Sequence, residues 1–176
     1  MENIRITSGK FRGRTIKSPK SSLTHPMGSR EKMALFNMIS GYSPEAIVLD
    51  AYAGSGALGI EALSRGAKQV VFVEKNPQAA RIIRENLEKL ELQEAALLFD
   101  GDVKNFLPKN DFDIIIADPP YDDFKLNGIV GLAKFLKNDG VFALSHPGDA
   151  PEIDGLKLQK THKYAAAHIT VYKRQR

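Results

Sequence analysis

The chain has 176 residues, enough for one domain with a full core; 43% are apolar, 26% are charged, and the formal net charge is +4. It has no apolar run long enough to cross a bilayer, its start lacks the apolar core of a signal peptide, and the absence of cysteine excludes disulfides and thiolate-held metal centres. Four histidines stand without metal-ligand spacing, so no metal site is expected, and the lack of cysteine fits the cytoplasmic location expected for the chain.

From the N-terminus, residues 4–6 and 14–16 read as two short strands around Gly9 and Gly13. Between Asn3 and Arg30 stand Arg5, Lys10, Arg12, Arg14, Lys17, Lys20 and Arg30 with no acid among them, a local bias that attracts a polyanion. Phe11, set among Lys10, Arg12 and Arg14, has the pattern of a base-stacking aromatic between phosphate-binding cations, so RNA contact is expected there. The other reading is a plain hairpin with Phe11 in the core. Residues 18–28 predict a loop into a helix capped by Ser29, with Met33, Leu35, Phe36, Met38 and Ile39 on its apolar face and Gly41 at its end. Arg30 and Lys32 are expected to point away from that face, lining a substrate entrance or simply solvated.

From residue 47 the chain repeats strand-then-helix units. Strands are predicted over 47–49, 69–73, 95–99, 112–117 and 141–145. Helices are predicted up to about 64, over 79–90 after the Asn76-Pro77 start, and over 129–136, closed by Asn138-Asp139-Gly140. The alternation then stops, because 156–164 and 167–172 read as strands joined too tightly for a crossover helix. The expected fold is α/β, a Rossmann-like, mostly parallel sheet with a terminal antiparallel hairpin and an N-terminal β-hairpin extension.

Acids punctuate the strand ends. Asp50, Glu74, Asp102 and Asp118 each follow one of four successive strands, and in such a sheet all four meet at the C-terminal edge, where ligands bind. Gly54-x-Gly56-x-x-Gly59 matches the dinucleotide fingerprint and, with Glu74, suggests an NAD-dependent oxidoreductase. Asp50 argues otherwise: a carboxylate before the glycine turn repels a pyrophosphate but suits the ammonium and sulfonium charges of S-adenosylmethionine. Glu74 can then accept from both ribose hydroxyls and Asp102 from the adenine amino group, although either alone is equally well a solvated loop acid.

Asp118-Pro119-Pro120-Tyr121 carries more specific chemistry. The Asp118 carboxylate and the Pro119 carbonyl, freed because Pro120 has no N–H, can each accept from one amino group while Tyr121 offers a face to a flat base. An exocyclic base amine is a weak nucleophile because its lone pair is delocalised; two acceptors can turn that pair towards an electrophile. The same residues also suit a simple strand-ending turn.

Together these segments resemble the class I S-adenosylmethionine-dependent methyltransferases, and more closely the RsmD-like family that methylates a guanine N2 in small-subunit (16S) ribosomal RNA. The resemblance is carried by Ile4-Arg5-Ile6-x-x-Gly9-Lys10-Phe11-Arg12-Gly13-Arg14, by Ala34-Leu35-Phe36-Asn37, by the stretch from Asp50 through Ala67, and by Asp118-Pro119-Pro120-Tyr121. It implies a seven-stranded sheet whose last strand is antiparallel, and one domain in which 1–28 form the basic hairpin and loop and 29–176 the catalytic core. It also implies S-adenosylmethionine at Asp50, Gly54, Ser55, Gly56, Glu74, Asp102 and Asp118, and amine handling by Asp118, Pro119 and Tyr121. The RNA-contact set is then Lys10, Phe11, Arg12, Arg14, Arg30 and Lys32, and the partner ribosomal RNA or a small-subunit particle, with no membrane and no obligate protein partner. Where the family carries Arg-Pro-Thr and then an Arg-x-Arg-Glu run, this chain has His25-Pro26-Met27 and Arg30-Glu31-Lys32-Met33. A DNA adenine-N6 methyltransferase, which shares the tetrapeptide, is the alternative, but it ordinarily needs a target-recognition region for which this chain has little room.

Overall fold

The computed structural model describes residues 2–19, 27–164 and 167–175. Lys20 of the basic cluster, and His25 and Pro26 of the departure from the family pattern, lie outside the described residues. Strands β1 (Glu2–Arg5) and β2 (Thr15–Ser18) pair antiparallel with Ile4 opposite Ile16, so each lies slightly outward of the predicted segment. Helix α1 (Ser29–Met38) starts at Ser29 rather than being capped by it; Gly28 holds the cap position and no side chain bonds there.

The alternating units follow: β3 (Ile47–Asp50), α2 (Ala57–Ser64), β4 (Gln69–Glu74), α3 (Pro77–Lys89), β5 (Ala96–Asp100), β6 (Phe112–Ala117), α4 (Leu126–Val130) and β7 (Leu136–His146). Asn76 caps α3, its side chain accepting from the backbone N–H groups of Gln78 and Ala79, and Pro77 fills the first helical position. The helix predicted over 129–136 is only the short α4 followed by a 3-10 stretch, Gly131–Phe135. Asn138-Asp139-Gly140 is not a helix stop but an irregularity inside β7, where the pairing with β6 slips between Phe112 and Ile114 and Asp139 takes φ 62°. Strands β8 (Leu156–Lys163) and β9 (His168–Arg174) close the chain.

Seven strands form one sheet in the order β5-β4-β3-β6-β7-β9-β8; the first five are parallel, and β9 runs antiparallel to both β7 and β8. The two-residue strand period sorts the core. Val48, Val70, Phe72, Ile114, Ile116, Val141 and Ala143 face one apolar cluster with α1, α2 and α3, while Leu49, Val73, Ile115, Ala117, Phe142 and Leu144 face the other. Continuing the same period, Asp50, Asp118 and Ser145 fall on the α1–α3 side at the strand tips, which sets the positions of the site.

Candidate active site

Asp50 ends β3 fully buried, with Oδ2 accepting from the Gly59 N–H at 2.8 Å and Oδ1 lacking any hydrogen-bond partner among the described residues. Burial pushes its carboxyl up to about 7, opposed by the Gly59 bond and reinforced by the nearby charges of Asp118 and Glu74. Two glycines make this placement possible. Gly56 opens α2 in the left-handed region at φ 79°, and a Cβ on Gly59 would sit 2.2 Å from the Phe72 ring, so only glycine lets α2 lie this close to β4. A buried carboxyl with an oxygen unpartnered among the described residues, near further acids, fits a cationic ligand and is poorly suited to a pyrophosphate.

Glu74, at the tip of β4, accepts from the Gly54 N–H and the Asn76 N–H, each at 2.7 Å, tying the glycine loop to the start of α3. Asp102 lies beside it, since the Gly101 N–H donates to the Glu74 carbonyl, and its Oδ1 accepts from Lys104 N at 2.9 Å. Ser55 is buried in the same loop, its carbonyl accepting from the buried Asn86 amide. Asp50, Gly54, Ser55, Gly56, Glu74, Asp102 and Asp118 therefore stand along one rim.

Asp118 follows β6 with its carboxyl pushed up to about 6 by burial, while part of the residue stays accessible from the rim. The pairing Ile114–Val141, Ile116–Ala143, Ala117–Leu144 places Asp118 opposite Ser145 in the next row, on the same face. Ser145 acts on the Asp118 carboxyl in the lowering direction, against burial, and the Tyr121 hydroxyl lies 2.5 Å from Ser145 Oγ. Either hydroxyl of that pair can be the donor. Tyr121 thus stands half-buried over the carboxylate, its own hydroxyl pKa raised by burial. Ser145 is 2% exposed and nothing in its local sequence marks it; the signal is its register against Asp118, which only the sheet supplies.

The residues expected to contact RNA divide. Phe11 is not exposed: it is buried with Ile6 and Ile16 in the core, its N–H donating to Ser64 Oγ at 2.9 Å. Lys32 is not solvated either, being 1% exposed, 3.1 Å from Glu61 and donating to the Arg5 carbonyl at 2.8 Å. Lys10, Arg12 and Arg14 are exposed, but their loop is fixed to the last residues of α2 and α3: Lys10 N donates to the Ser64 carbonyl and Arg14 Nη2 to that of Lys89. In a parallel unit the helices run back towards the edge opposite the strand C-termini, although the last turn of α3 still reaches the glycine loop through the Asn86–Ser55 bond. Arg30, exposed at the start of α1, is the member near the rim, because its neighbour Glu31 acts electrostatically on Tyr164 just past β8.

A mostly parallel seven-stranded sheet with β9 antiparallel, a glycine turn after β3 and acids at successive strand tips defines the fold class as a class I methyltransferase. The sequence profile of the family described as conserved hypothetical protein 95 matches residues 4–173, and this chain belongs to that RsmD-like family. It is 33% identical to the Bacillus subtilis protein provisionally named rRNA methyltransferase YlbH, over 98% of this chain and 100% of that one. It is 39% identical to ribosomal RNA small subunit methyltransferase D of Haemophilus influenzae, over 67% of this chain and 64% of the relative. Among solved structures, the provisionally named Escherichia coli methyltransferase yhhF superposes with a TM-score of 0.89 at 26% identity, over 99% of both chains.

Proposed function

We propose that this protein transfers the methyl group of S-adenosylmethionine to the exocyclic N2 amine of a guanine in small-subunit (16S) ribosomal RNA. The observation that carries the reading is the pairing of two acids on one rim: Asp50, buried with an oxygen that has no partner among the described residues, and Asp118, partly accessible beside Ser145, Tyr121 and the Pro119 carbonyl. The relatives named as ribosomal RNA methyltransferases support RNA as the substrate.

Asp50 is the partner for the cofactor's positive charge, with Gly54, Ser55 and Gly56 forming the loop beside it. Glu74 and Asp102 are the acceptors for its ribose and adenine. When bound, S-adenosylmethionine would supply an electrophilic sulfonium methyl for the target amine to attack, with S-adenosylhomocysteine as the leaving group. Asp118 and the Pro119 carbonyl accept hydrogen bonds from the two N–H groups of the amine and so aim its lone pair; the nitrogen keeps both protons until it is methylated, and the cationic product then gives one up to solvent. Ser145 positions both partners, and Tyr121 replaces the stacking that a base loses when it is turned out of its helix. Asp118 acts as an acceptor that orients, because the amine becomes acidic only after it is methylated.

Nucleoside mass spectrometry of RNA incubated with the protein and radiolabelled S-adenosylmethionine tests this directly. N2-methylguanosine in unmodified small-subunit RNA or particles is the expected product. N6-methyladenine in duplex DNA, with no transfer to RNA, would replace the reading with that of a DNA enzyme.

A further inference from the structure

With Phe11 and Lys32 buried and the Lys10–Arg14 loop at the far edge, the rim needs another cationic surface to hold the RNA beside Asp118. Strand β8 supplies one. His146, which ends β7, is paired with His168, and His168 with Lys163, so the end of β8 stands level with the rim. Three strand spacings separate it from β6, roughly 14 Å, the span of about two nucleotides of backbone. Lys160, His162 and Lys163 are exposed, and neither lysine has an ion-pair partner among the described residues. The His162 and Tyr164 rings lie 5.1 Å apart, tilted by 44°.

The sequence around this strand carries a second charge bias. From Gly155 to the end of the chain there is no acid, while Lys157, Lys160, Lys163, Lys173, Arg174 and Arg176 are basic. Two of these serve the fold: Lys173 pairs with Asp139 and Arg174 donates to the carbonyls of Ala133 and Leu136. Lys160 and Lys163 have no such task. Lysines on an edge strand also discourage pairing with other chains, but that purpose requires no neighbouring aromatic pair.

We propose that the β8 edge, with Lys160 and the His162–Tyr164 ring pair on the face that carries Asp118 and with Lys163 on the other face of the same edge, grips the RNA strand flanking the target nucleotide. The cations neutralise phosphates, and the rings offer faces on which an unpaired neighbouring base stacks. Arg30, at the start of α1, continues this surface towards the site. The proposal rests on the RNA reading above and deepens it.

The test measures affinity for transcribed 16S ribosomal RNA as a function of salt, using the full chain with S-adenosylhomocysteine. The double variant Lys160→Glu, Lys163→Glu should bind RNA about tenfold or more weakly and flatten the slope of log affinity against log salt by about 1.5. Lys160→Gln, Lys163→Gln should lose less, Lys160→Arg, Lys163→Arg should keep wild-type affinity, and all should retain S-adenosylhomocysteine binding. Lys10→Glu, Arg12→Glu at the far edge should leave the slope nearly unchanged. Unaltered affinity and slope in both the Glu and Gln variants of β8 would overturn the proposal, as would a loss confined to the Lys10, Arg12 variant. Methyl transfer by the wild-type protein is read on the same RNA. Binding through β8 without transfer removes the methylation reading alone; transfer with an unaltered slope removes the β8 surface alone.

Discussion

Glu61 and Asp50 are both fully buried acids on the same side of the sheet, one deep in α2 and one at the tip of β3. Glu61 accepts from Thr7 N at 2.9 Å, Thr7 Oγ1 at 2.6 Å and Ser8 N at 3.0 Å, and pairs with Lys32 and Arg65, each at 3.1 Å. Burial pushes its carboxyl up, but the Thr7 bonds and the Lys32 charge outweigh burial and leave it lowered. Asp50 has one backbone donor, two acidic neighbours and an oxygen without a partner, and is raised to about 7. The first arrangement is complete and clamps the N-terminal hairpin to the core. The second is complete only when a cation arrives, and unsatisfied buried groups of that kind mark where a ligand binds. Charge by itself does not separate the two, since the hairpin is the more basic region and yet is structural where it is buried.

Substitutions on the two sides should fail in different ways. Asp118→Ala should lower turnover by about a thousandfold or more while leaving cofactor affinity within a few-fold; it removes an amine acceptor and no core contact. Wild-type turnover in that variant would remove the orienting role. Lys32→Ala removes the fully buried cation of Glu61 but leaves Arg65 and the Thr7 and Ser8 donors in place, and should cost about 1–3 kcal/mol in denaturant unfolding, with the turnover of the folded fraction little changed. A stable Lys32→Ala protein would show that the hairpin clamp does not depend on this pair.

Ser145→Ala should reduce kcat about 10- to 100-fold with KM and cofactor affinity unchanged, because Asp118 and Tyr121 lose their shared anchor. Ser145→Thr, which keeps the hydroxyl, should recover most of the rate; equal loss in both variants would make the residue a packing element only. Asp50 has the smallest and most graded effect. It must shed its proton to meet a cation, so S-adenosylmethionine affinity should rise as pH increases towards about 7 and level off above it. Below that pH the rise approaches about tenfold per unit, and binding should release a proton detectable by calorimetry in buffers of different ionisation enthalpy. The same raised carboxyl makes the ligand-free protein lose stability as pH climbs from the usual carboxylate range towards 7, since the folded state there holds more protons than the unfolded one. Flat affinity and flat stability over that window would show that Asp50 does not face the cofactor's charge.

The rim was readable before the structure because its signals are local. Acids at the ends of apolar runs, glycines after the first of them and two prolines behind Asp118 each state a strand tip in a few residues. The hairpin was misread because its determinants lie far away in sequence. Phe11 looks exposed among cations until Ser64 is brought against it, and Lys32 looks solvated until Glu61 meets it. Ser145 is one serine among many until the β6–β7 register sets it beside Asp118, and the helix predicted over 129–136 failed because β7 begins earlier, with a bulge absorbing the turn-like Asn138-Asp139-Gly140. The acid-free stretch after Gly155 was legible by the same charge count that drew attention to the N-terminus.

The contrast between the two edges of the sheet is tested most directly by photo-crosslinking. Small-subunit RNA carrying 4-thiouridine near the guanine found modified by mass spectrometry would be crosslinked to the protein and the attached peptides identified. Crosslinks at residues 118–121 and 160–164, with few at 9–14, are the expected result. Crosslinks confined to 9–14 would contradict it, placing the RNA on the hairpin edge and away from the acids proposed to act on it.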